Sequence, residues 1–159
     1  MDDITLARTL HVLAVVLWIG GVGLVTTVVL PAIRHLKAGE ERPSFFDAFE
    51  RRFARQARIT TVLTGLTGFY MLARLDLWYR FREASFWWMH AMVLVWLLFT
   101  LMLFVLEPAF LHRWLHDSAN VAPEPTFVLI EWLHRVLLAL SIVTVFGAVA
   151  GSHGFSFFE

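Results

Sequence analysis

Apolar residues are gathered into four long runs, at about 9–31, 58–77, 86–106 and 129–150, and the stretches between them hold most of the charge. Inside the runs the apolar residues are nearly continuous, unlike the single apolar stripe of a soluble bundle helix. A hydrocarbon core of about 30 Å takes roughly 20 helical residues to cross, so each run has the length of one span. Backbone groups in lipid must be satisfied within the segment, and the runs are too long for barrel strands, so they read as helices. The pattern predicts an all-α integral membrane protein, an antiparallel four-helix bundle in a single domain over residues 1–159. Residues 39–57 break the pattern: Phe45, Phe46, Phe49 and Phe53 recur near helical spacing among arginines. This predicts an amphipathic interfacial helix leading into the second span, with a docking surface for a soluble partner as the other reading. Ala122, Pro123, Glu124 and Pro125 predict a turn before the fourth span.

Composition agrees with the pattern, since 58% of the 159 residues are hydrophobic and only 16% charged. The first run follows an acidic start, Met1-Asp2-Asp3, and exceeds the roughly 7–15 apolar residues of a signal peptide, so it reads as a retained span. Cysteine is absent, which excludes disulfides, thiolate-ligated haem and iron–sulfur clusters. Net charge is zero and gives no reason to expect nucleic acid as a partner. Lys and Arg set the orientation. Arg34, Lys37, Arg42, Arg51, Arg52, Arg55, Arg58, Arg113 and Arg135 fall on one side, and Arg8, Arg74, Arg80 and Arg82 on the other. The positive-inside rule then directs both termini to the periplasm of a bacterial inner membrane, with Trp78, Tyr79, Trp87 and Trp88 as an aromatic belt at that face.

Three histidines, His11, His90 and His134, interrupt the apolar runs. An imidazole in hydrocarbon is costly, so each marks a candidate site where a metal, a haem iron or a hydrogen-bond partner offsets the cost. His11 and His90 each come early in an inward-running span, roughly 10 Å from the midplane at 1.5 Å per residue, and are expected to meet there. His134 begins a span of the opposite direction, about 20 Å away along the normal, and is the candidate for a second site. A b-type haem asks for imidazoles on facing helices, a flat apolar slot and cations near its propionates. Arg8, His11, Val15, Trp18 and Gly21 share one face of the first span, which puts Arg8 a turn outward of the imidazole; Arg74 at the end of span two is the second candidate cation. Gly20, Gly21, Gly23, Gly65 and Gly68 permit either close approach to a macrocycle or tight helix packing. Glu131 and His134 form a Glu-x-x-His pair, His112 and His116 are spaced i, i+4 in the third loop, His35 reads as surface, and His153 as the end of span four or a ligand of the outer site.

Several of these residues fall in short motifs. His11 with Trp18-x-Gly20-Gly21, the run Trp88-Met89-His90-Ala91-Met92-Val93-Leu94-Val95, and His134-Arg135-Val136-Leu137-Leu138 with the ending Ala150-Gly151-Ser152-His153-Gly154 resemble CopD-like membrane proteins. The first two also resemble protoporphyrinogen oxidases of the HemJ type, small four-helix proteins thought to carry haem b. The resemblance implies His11 and His90 as haem ligands and Trp18 as a pocket residue. One departure is Met92, where HemJ-type proteins typically have a lysine, and it counts against porphyrinogen oxidation. The expected function is a haem b protein passing electrons within or across the membrane, with oxidase or quinone-linked activity and a lipid, redox or self-associating partner. The alternatives are a copper-handling protein using His11, His90 and His153, although the chain has no Met-rich or Cys-bearing copper motif, and a HemJ-like porphyrinogen oxidase.

Overall fold

The computed structural model describes residues 2–35, 41–111 and 123–155. The regular elements among them are all helical. Helix α1 (Asp3–Leu24) is capped by the Asp2 carboxylate, which accepts from Ile4 N at 3.4 Å and sits at the positive end of the helix. It widens into a π-helical stretch at Val25–Val29 before α2 (Leu30–His35). Pro31 explains the change of register: it has no N–H to give, and its ring clashes with the carbonyl four residues back. Thr26 and Thr27 take up carbonyls of the preceding turn, Val22 O at 2.7 Å and Gly23 O at 2.8 Å. The same device recurs beyond α4 (Trp87–Leu101), where the π-helical stretch Met102–Leu111 contains Pro108.

Helix α3 runs without a break from Glu41 to Arg74. The expected interfacial segment and second span are therefore one element, because the only proline, Pro43, lies in its first turn, where no intrahelical N–H is owed. Likewise α5 (Pro123–Ser152) starts inside the expected turn, at its second residue, so Pro123 to Pro125 open the helix and do not form a separate turn. Between α3 and α4 the chain turns at Asp76, whose φ of 48° is left-handed, and lays two 3₁₀ segments, Leu77–Arg82 and Ala84–Phe86, across the helix ends.

The contacts show antiparallel neighbours. Along α1 and α3, Asp3 accepts from Tyr70 Oη at 2.8 Å and Arg74 Nη2 at 3.0 Å, His11 meets Thr64, and Gln56 Nε2 donates to Leu17 O at 3.4 Å. Along α3 and α4, Trp96 Nε1 donates to Thr61 O at 2.9 Å and Arg58 Nε to Leu103 O at 3.1 Å. Along α4 and α5, the Trp88 indole lies against Gly151 and its Cβ against Gly147; an added Cβ at Gly151 would stand only 2.2 Å from Trp88 Nε1. The glycines thus serve packing: Phe53 occupies the place of a Cβ at Gly21, and Trp96 that at Gly65. Trp18, Val22, Val95 and Phe99 form the central cluster.

Three stretches among the described residues are long and apolar enough to cross a membrane: Asp3–Ile33, Ala84–Leu106 and Val128–Ser152. Their outward faces are apolar, with Val16 61% and Phe146 63% exposed, surfaces that suit lipid and not water. The chain reads as a multi-pass helical membrane protein. The expected second span is not among the three because α3 carries a buried threonine stripe, Thr60, Thr61, Thr64 and Thr67. Thr60 and Thr67 return their hydroxyls to carbonyls of the preceding turn, Gln56 O and Leu63 O. The opposite face, with Ile59, Val62 and Leu66, is as apolar as the other helices.

Candidate cofactor cavity around His11

A cavity of about 520 Å³ lies between α1, α3, α4 and α5. Its wall is apolar except for a few groups, and among the described residues His11 is the one histidine on it. His11 Nδ1 stands 3.0 Å from Thr64 O and 3.0 Å from Thr67 Oγ1. A carbonyl oxygen only accepts, and the Thr67 hydroxyl already gives its proton to Leu63 O at 2.6 Å, so both partners accept from the ring. The proton therefore sits on Nδ1, and Nε2 carries a lone pair with no hydrogen-bond partner among the described residues. Gly68 makes the room: a Cβ there would be 3.2 Å from His11 Cε1.

Trp18 closes the cavity toward the centre of the protein, 3% exposed and edge-on to Phe99 with ring centroids 5.0 Å apart. Its Nε1 is buried without a partner, as is Thr64 Oγ1 on the same wall. From α4 the lining residues include Met89, Met92, Val93 and Trp96, and from α5 Ser141 and Thr144, whose hydroxyls bond to Leu137 O and Leu140 O. Val12 and Val16 of α1 and Val145 and Val149 of α5 line the cavity and are also exposed, so these two helices form its rim.

Two cations reach the cavity, Arg8 and Arg80. Arg80 comes from the first 3₁₀ segment, its guanidinium 4.8 Å above the Phe86 ring and 5.9 Å from the Tyr79 ring centre. Arg74 is turned away from the cavity, exposed and paired with Asp3. Of the two arginines expected at the site, Arg8 lines the cavity and Arg74 does not, and Arg80, not expected there, lines it as well.

His90 is exposed, and its ring meets the edge of Phe81 at 5.1 Å. It does not line the cavity. Helix α4 turns Trp88, Met89, Val95 and Phe99 inward, and at 100° per residue His90 lies roughly 200° around the axis from Met92. The structure does not bring His11 and His90 together. His134 is elsewhere again: Nδ1 donates to Ile130 O at 2.9 Å, ten residues and about 15 Å along α5 from Thr144, beside buried Glu131 and its partner Arg135. His153 donates to Val149 O at 2.8 Å at the exposed end of α5. Among the described residues no three His, Asp or Glu side chains are grouped as a metal would need, and His112 and His116 lie outside the described residues. Sequence spacing missed Arg80, Met89 and the Thr64–Thr67 acceptors; the threonine stripe of α3, with Thr60, Thr64 and Thr67 each about a turn apart, was the available signal for the last of these. No protein-family model, no curated protein and no solved structure matches this chain.

Proposed function

We propose that this chain binds haem b in the cavity, with His11 as an axial ligand, and passes electrons within or across the membrane as a four-helix bundle whose second span is the Arg58–Arg74 part of α3. The observation that carries the reading is the orientation of His11. A metal-ligating histidine characteristically donates its other ring N–H to a carbonyl or similar acceptor, which fixes the tautomer and aims the lone pair. His11 does this through Thr64 O and Thr67 Oγ1, at the wall of an apolar cavity. The volume falls within the about 300–1,000 Å³ typical of cofactor sites. A porphyrin brings four of the iron's donors with it, so one histidine wall can anchor the group. Arg8 and Arg80 suit its propionates.

Bound haem supplies one-electron chemistry. The chain's own part is to hold the ligating nitrogen, to exclude water with Trp18 and its neighbours, and to set access for a quinone or protein redox partner. The Lys and Arg bias supports an orientation with both termini in the periplasm and the cavity in the outer half of an inner membrane. The likeness of the His11 and Trp18 motif to CopD-like and HemJ-type proteins points the same way.

The test is the optical spectrum and haem content of purified, detergent-solubilised protein. Wild type should carry haem b with sharp reduced bands; His11→Ala should lose most of it and His90→Ala should keep it. A wild-type protein purified without haem from haem-replete cells, or full haem retention in His11→Ala, would overturn the proposal.

A further inference from the structure

The wall opposite His11 carries thioethers. Residues of α3 set the level of both sides: Gly65 lies against the Trp96 indole of α4, and Gly68 lies against the His11 ring of α1. Met92 is one turn from Trp96, about 6 Å toward the end where α1 begins, and Gly68 is about 4.5 Å from Gly65 in the same direction along antiparallel α3. Met92 therefore stands level with Gly68, and so with His11, and both side chains line the one cavity. Met89 is a further turn along, at the level of Leu72 and Trp88, in whose cluster it is buried.

We propose that the Met92 thioether is the second axial ligand opposite His11, making a mixed histidine–methionine site in place of a bis-histidine one. The inference rests on the haem reading above. A thioether is a soft, neutral donor, and histidine–methionine ligation raises the potential of a haem relative to ligation by two imidazoles. The Met92 side chain is unbranched and lines the cavity, so it can adapt its rotamer to a bound group.

Near-infrared magnetic circular dichroism of the ferric wild-type protein reports the axial pair, and a sulfur-to-iron charge-transfer band marks a thioether ligand. The expected result is that band in wild type. Met92→Leu, which conserves volume, should lose it and lower the midpoint potential while keeping about one haem per chain through His11. Met102→Leu, at a methionine that packs on the central cluster and does not line the cavity, should leave band and potential unchanged, and Met92→His should shift the spectrum to the bis-histidine form. Haem-loaded wild type without the band, or a band that survives Met92→Leu, overturns the methionine assignment and leaves the haem reading intact. A protein that binds no haem overturns both. Because a wild-type spectrum without the band refutes the proposal by itself, poor folding of Met92→Leu would not shield it.

Discussion

Gly68→Ala isolates what the His11 ring needs from α3. The new methyl would stand 3.2 Å from Cε1 and 3.5 Å from Nδ1, against a comfortable carbon–carbon separation of about 3.5–4.0 Å. The ring must retreat by roughly 0.3 Å or more. It is held by two hydrogen bonds at 3.0 Å, and the same displacement takes them beyond the usual N–H···O range of about 2.7–3.2 Å. Weakening such bonds costs about 0.5–1.5 kcal/mol, while alanine is worth about 1 kcal/mol over glycine inside a helix. Global stability should therefore move by less than about 1 kcal/mol. Ligand orientation has no such compensation: disturbing the outer partners of a metal-binding histidine typically costs about 10–100-fold in affinity. Gly68→Ala should release haem to an excess of apo-globin acceptor at least about tenfold more readily than wild type, with a thermal midpoint by circular dichroism close to wild type. Unchanged haem retention would refute the view that Gly68 and Thr64 together aim the ring.

Gly151→Ala should be the damaging glycine substitution, because its methyl meets the Trp88 indole 2.2 Å from Nε1; a loss of about 1–3 kcal/mol in detergent unfolding is expected, against no loss for Gly20→Ala, where nothing lies within 4 Å. Arg80→Ala should weaken haem retention and Arg74→Ala should not, since only the first lines the cavity; equal effects would remove the distinction. A periplasm-only reporter fused after Glu159 should be active and a cytoplasm-only reporter silent, the reverse pattern inverting the topology.

Sequence pattern locates helices along the chain better than it locates side chains around them. Three of the four expected spans, the cavity histidine, Arg8 and Trp18 were legible because one helical face links the last three at i, i+3 and i+10 spacing. His90 shows the limit: its position along the span gives a depth, but azimuth depends on which face of α4 packs inward, and the bulky Trp88, Met89, Val95 and Phe99 decide that. Arg80 was hidden for a different reason. It lies in a connection, and only the turn at Asp76 brings that connection back over the cavity. The threonines of α3 act in the opposite sense, lowering the apolar character of a helix whose polar side chains face inward, with Thr60 and Thr67 bonded to its own backbone and the Thr61 and Thr64 hydroxyls buried without a partner.

The valine rim of the cavity has a kinetic consequence. Val12, Val16, Val145 and Val149 belong at once to the cavity wall and to the outer surface of α1 and α5, a surface that suits lipid. A hydrophobic guest then exchanges sideways with the acyl phase, and its occupancy follows its mole fraction in the bilayer, not its concentration in water. Detergent monomers compete for the same doorway. The loading of the purified protein will accordingly depend on the amphiphile chosen to extract it, and nanodiscs report the native occupancy more faithfully than micelles.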